Sequence, residues 1–170
     1  MGDRQQAAFA DFVRAHGRSL FGTAYLLTGS GDAGEELVQA TLVDLYPKWA
    51  RVAAAASPLA YVRRALVNRF LTSKRVRRVV ETPTWDLPEL ADAEDFTERV
   101  ADRELIWSLL GDLPQRQRAA IVLRYFHDQD DATIAAALEC RVATVRSVIS
   151  RGVAAMRAGR DLPSEARGRR

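Results

Sequence analysis

From residue 50 to residue 80 the chain carries eight basic side chains and no acidic one. Within that block, Ser57–Arg78 (SPLAYVRRALVNRFLTSKRVRR) has the pattern of a helix. Ser57 can cap it, and Pro58 stands at the first helical position, where a missing N–H costs nothing. At 3.6 residues per turn Val62, Leu66 and Phe70 fall along one side, while Tyr61, Arg64, Asn68 and Arg75 gather opposite them. The apolar side must be buried against other elements. The other side, with no acids to neutralise it, suits a polyanion, because guanidinium and carboxamide groups reach phosphates and base edges.

The rest of the chain repeats this segregation of charge. Residues 1–49 hold four basic and six acidic side chains, residues 81–114 hold two and ten, and residues 115–170 hold eleven and six. Solvated surfaces normally interleave signs, so two basic blocks flanking an acidic one predict polyanion binding at two places. A hydrophobic content of 48% over 170 residues supports a buried core in one domain or two small ones.

Cys140 is alone, which excludes an intramolecular disulfide and a paired-cysteine metal site. His16 and His127 stand without the companions a zinc site needs, so neither a metal nor a cofactor is expected. The opening MGDRQQ is acidic or polar where a secretory signal would be basic and then apolar, so no such signal is expected, and no apolar run approaches the roughly 18 to 20 residues of a membrane span. A cytoplasmic protein without membrane contact is expected. Nucleophile–base sets, phosphate-binding glycine loops, HExxH and dinucleotide fingerprints are all missing, which predicts no catalytic residues, no small-molecule substrate and no enzymatic activity.

Helical periodicity runs from Gln5 to Leu27 with a weak point at Gly17, and Thr28–Gly31 ends it. Asp32 and Glu35 have the spacing of a capping box for a second helix through Leu37, Val38, Leu42 and Leu45. Pro47 finishes or bends that helix, and an alanine-rich loop, Arg51–Ala56, leads to the basic helix, so the first half reads as three helices. Residues 81–95, ETPTWDLPELADAED, read as an acidic linker. Helical pattern resumes from Phe96 through Val100, Leu105, Ile106, Leu109 and Leu110, and Pro114 opens the next helix, QRQRAAIVLRYF. No strand alternation appears. The expected architecture is all-α, two small helical domains (1–80 and 96–160) joined by the acidic linker 81–95, with a polar tail at 161–170.

Two short helices broken at Glu139-Cys140 follow the acidic turn His127–Asp131 and predict a helix-turn-helix. Ile134, Leu138, Val142, Val145 and Ile149 are spaced to pack the pair, leaving Thr144, Arg146, Ser147, Ser150 and Arg151 outside. The plainer alternative is a helical hairpin with a basic solvated face. The helix from Asp32 to Tyr46 is acidic to neutral, a poor DNA-binding element and a candidate protein-binding one. Trp49 and Trp85 read most simply as core or loop anchors, although Trp49 directly precedes the basic block.

The order of blocks DAGEELVQATLVDLYPKW, SPLAYVRRALVNRF, an acidic linker, LPQRQRAAIVLRYF and TVRSVISRGVAAMR resembles the extracytoplasmic-function sigma factors of bacterial RNA polymerase. The resemblance extends from about Phe9 to Met156, and the alanine- and arginine-rich composition suits an actinomycete. It implies a sigma region 2-like domain at 1–80 that binds core polymerase and the −10 element, and a region 4-like domain at 96–160 that binds the −35 element. Contacts to the polymerase clamp would come from Glu36, Leu37, Gln39, Leu42 and Leu45. Trp49, Arg63, Arg64, Asn68, Arg69 and Arg75 would engage −10 DNA, with Lys74, Arg77 and Arg78 neutralising phosphates and the loop Lys48–Ser57 holding an unstacked base. Arg116, Arg118, Arg141, Thr144, Arg146, Ser147, Ser150 and Arg151 would serve the −35 element. The implied partners are the clamp and flap of RNA polymerase core, promoter DNA, and an anti-sigma factor, common in the family.

Five positions depart from the family pattern. Glu139 replaces a turn glycine, so a positive φ there would cost about 1 kcal/mol. Arg141 replaces a capping serine, forfeiting about 0.5–2 kcal/mol. Val148 stands for a basic residue, Ala40 for an acid and Pro47 for a base; weaker or altered −35 reading and weaker core docking are expected. Two rivals remain: a stand-alone helix-turn-helix repressor, which needs a dimer seam and a palindromic site, and a helical adaptor that binds only protein.

Overall fold

The computed structural model describes residues 2–73 and 105–161, and every regular element among them is helical. The chain divides into two compact units, Met1–Pro88 and Glu89–Arg170. Lys74, Arg75, Arg77 and Arg78, the linker 81–95 with Trp85, residues 96–104 and the tail from 162 lie outside the described residues.

The first apolar stripe forms one uninterrupted helix, α1 (Gly2–Thr28). The expected weak point at Gly17 does not break it: burial of Leu20, Ala24 and Leu27 outweighs the roughly 1 kcal/mol by which glycine disfavours a helix interior. α1 ends where Gly29 adopts φ 74°, a conformation glycine enters without penalty, and its N–H donates to Tyr25 O at 2.7 Å. The cap of α2 (Gly31–Leu45) is then Ser30, not Asp32. Ser30 has extended backbone and its Oγ accepts from Ala33 N–H at 3.4 Å, whereas Asp32 is already inside the helix and Glu35 accepts from Gln39 Nε2 instead. A Cβ on Gly34 would lie 3.2 Å from Tyr25 N, so a side chain there would hold α1 and α2 apart.

Pro47 turns the end of α2 into a 3₁₀ segment, Tyr46–Lys48, followed by a short helix, α3 (Trp49–Ala53). The predicted loop therefore begins later than Arg51, and the described residues of the unit form four α-helices rather than three. Trp49 and Val52, three residues apart, are both buried and pin this turn to the core. The basic helix is α4 (Pro58–Thr72), with Ser57 Oγ accepting from Ala60 N–H at 3.2 Å and Pro58 in the first turn. Val62, Leu66 and Phe70 are buried as their spacing predicts, together with Val67. The helix ends at Thr72. Thr72 and Ser73 hydroxyls donate to the carbonyls of Asn68 and Phe70 at 3.0 and 3.2 Å, satisfying last-turn acceptors while Ser73 turns extended.

The second unit contains α5 (residues 105–111), α6 (Gln115–Ile121) continued by a wide π turn Val122–Phe126, α7 (Asp131–Leu138) and α8 (Val142–Arg160). Its core is Leu109, Leu110, Leu113, Ala119–Leu123, Ile134, Leu138, Val145 and Val148. Val148 thus faces inward, so its replacement of a basic residue removes nothing from the outer face of α8. Val142, expected in the core, is 48% exposed because it occupies the first turn of α8, ahead of the contact with α7.

Candidate nucleic-acid interface

In the first unit, α2 and α4 pack against each other and leave two chemically different outer faces. On α2, Leu37, Leu42 and Leu45 are buried, so these expected partner contacts belong to the core: the same period that made them apolar turns them inward. Glu36 and Gln39 are exposed. Beside them stands Val43, 69% exposed, which sequence reasoning missed. Glu36, Gln39 and Val43 follow the i, i+3, i+7 spacing of a single stripe, and an aliphatic residue on an otherwise polar stripe was the available signal.

On α4, Arg64 is exposed, and Asn68 and Arg69 are half-exposed beside it. Arg69 pairs through Nη1 with Asp44 of α2, an ion pair open enough to solvent to contribute less than about 1 kcal/mol. Arg63 is half-buried; its Nε is enclosed without an acceptor among protein groups, and burial pushes its guanidinium pKa down. Trp49 is not on this surface. Only 2% exposed, its ring packs on Phe9 and Phe12 with centroids 5.1 and 4.8 Å away. With Phe9 also against Tyr46, Trp49 closes the start of α1 over the α2–α3 turn, and it offers no face to a base.

The second unit contains the helix-turn-helix. Asp130 caps α7 through its Oδ1, which accepts from Thr133 N–H at 2.7 Å; that backbone hydrogen bond, then one involving the Thr133 hydroxyl, holds the exposed carboxyl below its ordinary pKa. The turn passes through Glu139 at φ 51°, ψ 51°, the left-handed conformation in which a side chain is disfavoured. Arg141 occupies the N-cap of α8 and forms no side-chain cap. Outside the buried line of Val145, Val148 and Gly152 lie Arg141, Val142, Ala143, Arg146, Ser147, Ser150 and Arg151, all exposed, with Thr144 half-buried at the edge. Ser147 Oγ donates to Thr144 O at 2.9 Å and Arg151 Nε donates to Ser147 O at 3.3 Å, so both lie along the helix surface.

The two arginines of α6 take other roles. Arg118 is 6% exposed, and its Nη2 donates to Gly111 O at 2.7 Å and Leu113 O at 3.2 Å, closing the C-terminal end of α5; it cannot approach a phosphate from there. Arg116 remains exposed but donates to Leu138 O at 2.9 Å, satisfying a last-turn carbonyl of α7 beside the turn. Asp131, also absent from the expected site, accepts from Arg124 and from Arg146 Nε, the latter at 2.9 Å. Among the described residues no group of histidine, cysteine and carboxylate side chains could hold a metal ion, and no helix is long and apolar enough to cross a membrane.

Each of the two units contains a stretch that matches a known sequence family. Residues 12–79 match the family model of sigma-70 region 2, and residues 103–156 match that of sigma-70 region 4. The RNA polymerase sigma-E factor of Streptomyces avermitilis is 34% identical over 161 residues, covering 93% of this chain and 89% of that protein. Its counterpart in Streptomyces coelicolor is 32% identical over 161 residues, covering 93% and 90%. The fold is similar to that of CnrH, solved in complex with the cytosolic domain of CnrY, with 24% identity, TM-score 0.62 and coverage of 92% of this chain and 89% of that one. It is also similar to the sigma factor RpoE solved in complex with the anti-sigma factor NepR from Bartonella quintana, with 20% identity, TM-score 0.63 and coverage of 89% and 95%. The chain belongs to the sigma-70 family of bacterial RNA polymerase sigma factors, in its extracytoplasmic-function group.

Proposed function

We propose that the exposed faces of α2, α4 and α8 divide the work of this sigma factor, which binds RNA polymerase core and directs promoter-specific transcription initiation. Glu36, Gln39 and Val43 on α2 dock on the polymerase clamp. Arg64, Asn68 and Arg69 on α4 meet the −10 element, Arg64 through phosphates and Asn68 as the reader of a base. The start of α8, with Arg141, Thr144, Arg146, Ser147, Ser150 and Arg151, enters the major groove of the −35 element, while Arg116 lies close enough to the turn to meet a phosphate. The observation that carries this reading is the exposure of Arg141, Arg146, Ser147, Ser150 and Arg151 on α8, with Thr144 half-buried at their edge, opposite a buried line of Val145, Val148 and Gly152.

Affinity comes largely from phosphate neutralisation and specificity from a few base contacts, so the chain alone binds DNA weakly and the holoenzyme binds it well. It acts by binding in the cytoplasm, with no chemistry of its own. Two of the structurally similar proteins were solved with proteins bound to them, one named an anti-sigma factor, which supports a protein inhibitor for this chain as well. Mixing the purified chain with core polymerase and measuring promoter-dependent transcription tests the reading. Co-migration with core and promoter-dependent transcripts are expected. Tight dimeric binding to a palindrome without polymerase would instead establish a repressor.

A further inference from the structure

The geometry points to Asp131 as a positioning residue for base reading by Arg146. Asp131 stands in the first turn of α7, and its carboxylate is 21% exposed. One oxygen, Oδ1, accepts from Arg124, whose side chain is itself only 30% exposed. The other, Oδ2, accepts from Nε of Arg146 at 2.9 Å, and the Arg146 side chain is 81% exposed. The carboxylate is therefore anchored from within the unit by one arginine while it holds the stem side of another that projects from α8.

An arginine reads guanine through two parallel N–H donors aimed at O6 and N7. Held through Nε, Arg146 keeps both terminal nitrogens available for that fork. A free arginine on a helix surface must freeze a long, rotamer-rich side chain when it meets a base; one already fixed by Asp131 loses less on binding. Arg124 matters because it neutralises the carboxylate, so Asp131 can sit beside the DNA surface without presenting net negative charge to phosphates. The inference rests on the reading of α8 as the −35 helix, and adds to it a residue on the preceding helix that controls one base preference without touching DNA.

The test uses full-length chain reconstituted with core polymerase and a DNA library randomised over a promoter-length window, sequenced before and after selection by holoenzyme binding. Arg146→Ala is expected to abolish a guanine preference at one −35 position. Asp131→Asn is expected to weaken the same preference about fivefold to tenfold while leaving other positions unchanged, and to add nothing in the Arg146→Ala background. Asp131→Glu, which keeps the charge, should restore part of it. If Arg146→Ala abolishes the preference and Asp131→Asn retains it in full, the positioning role is wrong although α8 reads the element. Equal loss at every position in Asp131→Asn, unrelieved in Asp131→Glu, would make Asp131 merely structural. A wild-type profile with no −35 preference that depends on Arg146 would overturn the reading of α8 together with this inference.

Discussion

Replacing Arg118 by alanine separates a structural arginine from a phosphate-binding one. In the folded chain its guanidinium donates to Gly111 O and Leu113 O at 2.7 and 3.2 Å from a site only 6% exposed. Hydrogen bonds from charged donors contribute about 1.5–3 kcal/mol each, and removing the donor also leaves buried acceptors unsatisfied. Because the two carbonyls share one nitrogen, a total of about 3 kcal/mol is expected, equivalent to about 12–24 °C in the melting of a unit of this size. Thermal unfolding of the full chain, followed by circular dichroism, reads that shift. DNA binding measured against salt gives the second readout: a lost phosphate contact lowers the slope by about 0.9, and Arg118→Ala should leave it unchanged under conditions where the variant is folded. Arg151→Ala, on the exposed face of α8, should behave in the opposite way, with little change in melting and a reduced slope. Unchanged melting of Arg118→Ala together with a reduced slope would refute the structural assignment.

Other perturbations have definite signs. Glu139→Gly releases a side chain from φ 51° and should stabilise the second unit by about 0.5–1 kcal/mol after the added unfolded-state entropy of glycine is deducted, as read from denaturant midpoints. Arg141→Ser should supply the missing cap of α8 and add about 0.5–2 kcal/mol, while equilibrium binding to promoter DNA weakens because a basic group leaves the helix start. Val43→Glu changes a 69%-exposed position, so its stability should stay within about 0.5 kcal/mol of wild type while co-migration with core polymerase is lost. Asp130 has a depressed pKa in the folded chain, so its cap contributes fully above the ordinary carboxylate value and is lost as the pH falls through the lower folded one; the melting difference between wild type and Asp130→Ala should therefore narrow as the pH is taken below the ordinary carboxylate range.

The helices were legible wherever local period and capping chemistry agreed. Ser57 with Pro58 fixed the start of α4, and Val62, Leu66 and Phe70 fixed its inward side. The αL turn at Glu139 was legible too, because family glycines mark backbone conformation, and the structure puts Glu139 at φ 51°. What failed was the assignment of roles within a correctly placed helix. Leu37, Leu42 and Leu45 satisfied both the core period and the expected docking list, and a core position cannot also be an outer contact. Arg118 was expected at the −35 element from the family resemblance, and its structural role was not legible because the carbonyls it closes, at Gly111 and Leu113, become its neighbours only when α5 folds back on α6. Trp49 adjoined the basic block in sequence, but its partners Phe9 and Phe12 lie some forty residues earlier in the chain. Asp131 escaped notice for the same reason: its two arginines come from elements on either side of it.

Promoter opening by an Asn68→Ala holoenzyme tests the division of labour between α2 and α4 most directly. Asn68 lies beside Arg64 on the outer side of α4, away from the buried Val62, Leu66 and Phe70. Thymine reactivity to permanganate in the −10 region, measured alongside co-migration with core polymerase, reads opening and docking in the same preparation. Reactivity should fall about fivefold or more, as expected for a lost base contact, with co-migration unchanged. Parallel loss of both, or full opening by the variant, would contradict the assignment of α4 as the −10 reader.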